Sequence, residues 1–253
     1  ETFDLYEKVR LSVTSETTYD QRKGFFSYSS AHQQMAENFK GENNKALEEG
    51  CQAQSLEYDT DNPQPAAETS VVLPGTLADD GVDPTSLGSA FHELAQIMVE
   101  TQSKVDEKTI DRLCLKNSVP QRAISRVKQA LELWSNSAIR QAALAHDVVI
   151  AESPFTLQVD SKYGNYVEGA IDLLAYNKGS KDALVVDYKT GDKGLSAAQI
   201  YEHHQMQANF YAYVLMQRGF TKVECAFVCV EIEEAGQPHV ARYAFDANHQ
   251  PRL

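Results

Sequence analysis

At 253 residues and 42% hydrophobic, the chain has material for one catalytic domain plus an appendage, and no second large domain is expected. Its net charge of -13 excludes a uniformly basic nucleic-acid binder, but the acid is uneven: residues 1 to 85 carry 16 acidic and 6 basic side chains, which leaves -3 for residues 86 to 253. No apolar run is long enough to cross a bilayer and nothing near residue 1 has a secretory pattern, so no membrane partner is expected.

The chain begins at Glu1 rather than Met and is expected to be cut from something longer. Four cysteines (Cys51, Cys114, Cys225, Cys229) are too few and too scattered for a disulfide framework, and a reducing, cytoplasmic setting fits them. In the N-terminal part, Phe25-Phe26-Ser27-Tyr28 reads as a short strand, and Ser29 or Ser30 as the cap of a helix through about Phe39. Residues 41 to 84 lack an apolar period and read as an acidic flexible linker or long surface insertion. The expected division is an appendage over 1–85 and a catalytic domain over 86–253.

Leu87, Phe91, Leu94 and Met98 recur at helical spacing, which predicts a helix capped near Thr85 or Ser86. Helical stretches over Glu107 to Lys116 and Pro120 to Ala145 follow. Eight basic residues between Lys104 and Arg140 outnumber four acidic ones; that segment is either a DNA-facing flank or a solvated helix surface. The period then changes to that of strands over Val148 to Val159, Tyr166 to Tyr176 and Ala183 to Tyr188. A long helix from Ala197 to Arg218 carries a Ser196-x-x-Gln199 capping box and ends at Gly219. Strands over Val223 to Ile232, where Cys225 and Cys229 read as buried small hydrophobes, and His239 to Phe245 complete an α/β sheet with helices packed on it.

The chemistry concentrates in Gly169-Ala170-Ile171-Asp172 and Val185-Val186-Asp187-Tyr188-Lys189-Thr190-Gly191. With a hairpin turn over Lys178 to Lys181, antiparallel counting sets Asp172 directly opposite Asp187. Two like charges about 5 Å apart destabilise a ladder. A divalent cation between the carboxylates reverses the sign, and oxygen ligands suit Mg2+ or Mn2+. Lys189, two residues beyond Asp187, points to the same face. Its ammonium can orient a water or stabilise charge on a scissile phosphate. The alternative is a solvated surface strand, but Leu184, Val185 and Val186 lead into the motif, and a carboxylate ending a buried strand needs a partner.

The G-x-I-D-L and V-D-Y-K-T-G segments resemble the PD-(D/E)XK nuclease core, most closely the C-terminal nuclease domain of RecB- and AddA-type helicase-nucleases. Gly88-x-x-x-His92, Glu152-x-Pro154-Phe155, Gln207-x-x-x-Tyr211 and Ser27-Tyr28-Ser29-Ser30 agree with it. The resemblance covers most of 86–232. It implies a restriction-endonuclease-like fold, a central mixed sheet flanked by helices, and a Mg2+-dependent deoxyribonuclease in which Mn2+ can substitute. It makes His92, Asp172, Asp187 and the backbone carbonyl of Tyr188 metal ligands, and Lys189 catalytic. Gln207 and Tyr211, one helical turn apart, would support the site and contact the DNA strand, although Tyr211 also suits a core position. Gly88 would permit close approach of the sheet or the DNA backbone. Glu152 is either a further acidic group of the site or the partner of a nearby lysine. His203 and His204 diverge by about 100° on a helix and are assigned to packing or solvent. Asp192 and Lys193 are assigned to a turn that could touch DNA.

The cysteine spacing does not match the family's iron-sulfur branch, so no cluster is expected. No phosphate-binding G-x-x-x-x-G-K-[ST] loop is present, so a helicase motor would lie on an upstream polypeptide. The implied partners are DNA, with single-stranded ends as substrate, and the motor and partner subunits of a helicase-nuclease acting in double-strand break repair and recombination. The competing readings are a catalytically inactive DNA-guiding module of such a complex and a stand-alone repair or restriction nuclease.

Overall fold

The computed structural model describes residues 25–27, 82–161 and 164–252. These fall in two compact units, one of residues 82–155 and 170–252, the other of residues 25–27, 156–161 and 164–169. The expected helix through Phe39, the Tyr28-Ser29-Ser30 part of the serine motif, Cys51 and residues 41–81 of the expected linker lie outside the described residues.

Four helices precede the main strands. Helix α1 (Pro84–Thr101) begins before the expected cap at Thr85 or Ser86, because the cap is Asp83. Its carboxylate accepts from the backbone N–H of Thr85 at 3.1 Å and of Ser86 at 3.2 Å, and Pro84 fills the first helical position, where no N–H is needed. Helix α2 (Glu107–Lys116) has the expected bounds. The single helix expected over Pro120 to Ala145 is instead a 3-10 turn (Gln121–Ala123), helix α3 (Ile124–Ser135) and helix α4 (Ala138–Leu144). The buried Ser137 makes the break: its Oγ donates to the Trp134 carbonyl at 2.7 Å and accepts from Arg140 N–H at 3.2 Å, ending one helix and capping the next.

Strands β2 (Val148–Ser161), β3 (Gly164–Tyr176) and β4 (Asp182–Lys189) are followed by helix α5 (Ala197–Gln217) and strands β5 (Lys222–Glu234) and β6 (Gln237–Phe245). The capping box at Ser196 and Gln199 forms, and Gly219 takes a φ of 97° just past the end of α5. In the first unit the order is β3-β4-β5-β6, with β3 and β4 antiparallel, β4 and β5 parallel, and β5 and β6 antiparallel, so the sheet is mixed. In the second, β1 (Phe25–Ser27) pairs parallel with β3 from Tyr166 to Glu168. Strand β2 also pairs with β3.

The alternation along each strand divides the first unit's core. Leu173, Ala175, Leu184, Val186, Tyr188, Ala226, Val228 and Val230 join Leu87, Phe91, Leu94, Ile110, Leu113, Val127 and Trp134 of α1 to α3 in one apolar cluster. The opposite residues of β5 meet α5: Cys225 Sγ lies 3.7 Å from the Ala208 carbonyl, and the Phe227 ring stacks on His204. Each fully buried large side chain contributes about 1.5–3 kcal/mol. Truncation to Ala of Trp134, which has no exposed surface, would cost about 3–5 kcal/mol.

Candidate metal and catalytic centre

The β3–β4 register pairs Leu173 with Val186 and Tyr176 with Ala183. Continued by one residue toward the end of β4, it sets Asp172 opposite Asp187, the pairing expected from the turn length. Tyr188 N–H donates to Asp172 Oδ2 at 2.7 Å. Alternation sends Asp187 and Lys189 to one face and the Tyr188 ring to the other, where it packs edge-on against Phe91 at 5.4 Å and Trp134 at 4.8 Å. The ring anchors the strand end while the carbonyl of the same residue stays at the site.

Asp187 is nearly fully buried, 2% exposed, and has three partners. Lys189 Nζ lies 2.7 Å from Oδ1. Oδ2 accepts from Gln207 Nε2 at 3.0 Å and from the Tyr211 hydroxyl at 2.9 Å. The two α5 side chains also meet each other, at 2.8 Å. Tyr211 is at once a buried core aromatic and a partner of Asp187, so the two sequence readings of it coincide.

His92 reaches the same strand end from α1. Its Nε2 lies 3.2 Å from the Tyr188 carbonyl and its Nδ1 3.5 Å from Asp172 Oδ1. Gly88, one turn earlier, permits close approach: a Cβ there would stand 3.0 Å from Thr190 Oγ1, just past Lys189, so that any larger residue would press on that hydroxyl. Glu152 completes the cluster, since one ligand atom each from His92, Glu152 and Asp172 lie within 4.8 Å of one another. Its backbone has a φ of 49°, in the left-handed region and inside strand β2. The sequence signal was the Glu152-x-Pro154-Phe155 motif, which does not disclose that conformation.

The electrostatics follow from crowding. Burial pushes Asp172 up to about 7, the neighbouring Asp187 adds to the rise, and His92 opposes it. Burial works against charge on His92 and on Lys189, but the two aspartates outweigh it and both values are raised. Asp187 Oδ1, although close to Lys189, accepts no well-aligned hydrogen bond. A divalent cation suits this set: two opposed buried carboxylates, one oxygen with free lone-pair capacity, an imidazole, a backbone carbonyl and a third acid.

Elsewhere the structure departs from the sequence reading. His203 and His204 are not left to packing or solvent: His204 Nε2 lies 2.9 Å from Asp192 Oδ2 and His203 Nδ1 3.7 Å from Asp192 Oδ1. The rings use opposite nitrogens, which lets neighbours that diverge on a helix meet at one acid. Asp192, expected in a plain turn, is buried, and the two histidines hold it well below the usual carboxylate range against the effect of burial. Lys193 pairs with Glu231 at 3.2 Å. Within the basic segment, Lys116 pairs with Glu93, Arg126 with Glu231, and Lys128 with Glu107 and Asp111. Cys114, Cys225 and Cys229 are buried free thiols. No described helix is long and apolar enough to cross a membrane.

No curated protein matches the chain. A crystal structure of a candidate exonuclease from Eubacterium rectale is similar at 13% identity and a TM-score of 0.37, over 64% of this chain and 60% of that one. The chain thus matches less than two thirds of that protein's length. The family model of the PD-(D/E)XK nuclease superfamily matches residues 68–252, a span that holds α1, the β3–β4 pair and α5. With that match over most of its length, and with opposed aspartates and a lysine at the strand end, the chain belongs to the PD-(D/E)XK nuclease superfamily.

Proposed function

We propose that the chain is a deoxyribonuclease that hydrolyses phosphodiester bonds with Mg2+, for which Mn2+ can substitute. The observation that carries this reading is the convergence at one strand end of Asp172, Asp187 and Lys189, with Lys189 Nζ 2.7 Å from Asp187. Asp172, Asp187, His92 and the Tyr188 carbonyl would hold the ion, with Glu152, which groups with His92 and Asp172, a further acid beside them. When bound, the cation supplies a water of lowered pKa and polarises the phosphoryl oxygen.

The chain's own side chains do the rest. Lys189 presents its ammonium to the scissile phosphate and offsets charge that develops there. Gln207 and Tyr211 fix the Asp187 carboxylate through Oδ2, so that its Oδ1 stays directed at Lys189. The finer reading is a RecB- or AddA-type nuclease domain over 86–253 with an N-terminal appendage over 1–85. It would act on single-stranded DNA ends in the cytoplasm, alongside a helicase motor, in double-strand break repair and recombination. Its support is the ordered set His92, Glu152, Asp172, Asp187-x-Lys189 and Gln207-x-x-x-Tyr211.

The test is cleavage of end-labelled linear and circular single-stranded DNA with Mg2+, with Mn2+ and with chelator, by wild type and by Asp187→Asn. Metal-dependent cleavage of the linear strand that the variant lacks is the expected result. Cleavage that persists in chelator, or an Asp187→Asn rate equal to wild type, overturns the proposal. Cutting of the circle at the same rate overturns the preference for ends.

A further inference from the structure

Asp192, His203, His204 and Cys229 meet beside the candidate centre and take no part in the chemistry proposed for it. They come from three elements: the loop after β4, the first half of α5, and β5. Measured from the Asp192 carboxylate, His204 Nε2 is at 2.9 Å, Cys229 Sγ at 3.5 Å and His203 Nδ1 at 3.7 Å. The ligand atoms of Asp192, His203 and His204 all lie within 4.8 Å of one another. In a tetrahedral site with bonds of about 2.0–2.3 Å, adjacent ligand atoms stand about 3.2–3.8 Å apart. The distances from the Asp192 carboxylate, 2.9, 3.5 and 3.7 Å, are near that spacing, and Cys229 joins the Asp192–His203–His204 group through its contact with Asp192.

The donor types narrow the ion. Two imidazoles, a carboxylate and a thiol are unsuited to Mg2+, which takes oxygen ligands, and are suited to a borderline-soft transition ion. Asp192, His204 and Cys229 are buried, while the His203 side chain keeps 34% of its surface exposed and gives the ion a way in.

We propose that Asp192, His203, His204 and Cys229 form a second metal site, for Zn2+ or an ion of its class, distinct from the Asp172–Asp187 centre. An ion there ties the loop that follows Lys189 to the helix that carries Gln207 and Tyr211, bracing the first site without touching substrate. Binding displaces the Cys229 thiol proton to solvent. It also turns the two imidazoles out of their stacked arrangement, at present 4.6 Å between centroids with 25° between planes, because a metal lies in the plane of the ring that binds it.

The test uses the whole chain with the first site disabled by His92→Ala and Asp172→Asn, so that its outcome does not depend on the nuclease reading. Zn2+ is titrated by calorimetry and Co2+ by absorption. The expected result is one tightly held equivalent, intense visible bands of tetrahedral Co2+, and a near-ultraviolet thiolate-to-cobalt band that Cys229→Ser removes. Adding His203→Ala, at an exposed position, should weaken binding by about tenfold or more. Absence of a tight site in this background, or Zn2+ affinity unchanged by both His203→Ala and Asp192→Asn, overturns the proposal. Cobalt binding without the thiolate band overturns the four-ligand form by removing Cys229.

Discussion

Lys189 Nζ lies 2.7 Å from Asp187 Oδ1, on a carboxylate that is 2% exposed and whose other oxygen is taken by α5. Lys189 is therefore the counter-charge of a buried acid as well as the candidate catalytic cation. Replacing it with Met leaves Asp187 buried without its ion-pair partner, and breaking such a pair costs about 3–5 kcal/mol. Lys189→Met should melt well below wild type in chelator, recover part of the loss in Mg2+, and cleave about a hundredfold or more slowly. Thermal unfolding and a cleavage assay check both halves; cleavage at the wild-type rate would remove Lys189 from the chemistry.

The opposed aspartates make the metal-free protein sensitive to pH. Burial and Asp187 raise the folded value of Asp172 to about 7, above its unfolded value of about 3.9. Folding therefore favours the protonated acid, and stability falls as pH rises from about 4 to about 7. His92, whose value is also raised, acts in the same direction, since its contribution is lost as pH rises through its folded value. Asp172→Asn removes the Asp172 effect and, with it, the charge that does most to raise His92. In chelator it should melt above wild type at pH 8 and show a flatter profile between pH 4 and 8. Mg2+ at about 100 times Kd should add about 2.7 kcal/mol to wild type and little to the variant. Equal gains would mean that Asp172 is not a ligand.

The β3–β4 register was legible because the turn length and the apolar runs on either side allow one pairing that buries both strands. For the same reason Asp172, Asp187 and Lys189 could be named from the sequence and found together. Gln207 and Tyr211 could be placed on one helical face, but their shared acceptor, Asp187 Oδ2, depends on how α5 lies against β4. The meeting of His203 and His204 at Asp192 was missed because it turns on which ring nitrogen each residue offers, and helical periodicity says nothing of that. The break at Ser137 was missed because a serine inside an apolar-periodic stretch looks the same whether it faces solvent or caps the next helix.

Tyr211 and Gln207 share one oxygen of Asp187, and their effects should not add. Tyr211→Phe keeps the ring packing but loses a hydrogen bond to a charged acceptor, worth about 1.5–3 kcal/mol. Gln207→Leu loses its donor to the same atom and its contact with the Tyr211 hydroxyl. Denaturant unfolding of both single variants and the double should give a coupling energy of about 0.5 kcal/mol or more. Strict additivity would show that the two side chains do not hold Asp187 as a unit.

Glu152 separates a backbone effect from a side-chain effect at one position. Its φ of 49° is one that a residue with a Cβ adopts at a cost of about 1–2 kcal/mol, and glycine adopts freely. Glu152→Ala deletes the carboxylate and keeps the strain; Glu152→Gly deletes the carboxylate and relieves it. The glycine variant should therefore be the more stable of the two by about 1 kcal/mol in chelator. If the strained turn serves to bring the acid to His92 and Asp172, with which its ligand atom clusters within 4.8 Å, both variants should bind Mn2+ more weakly and cleave more slowly to the same degree. Unfolding in chelator, Mn2+ titration and cleavage rates make the comparison. A glycine variant with wild-type metal affinity and rate would reduce Glu152 to a bystander, and an alanine variant as stable as the glycine one would show that the left-handed turn stores no strain.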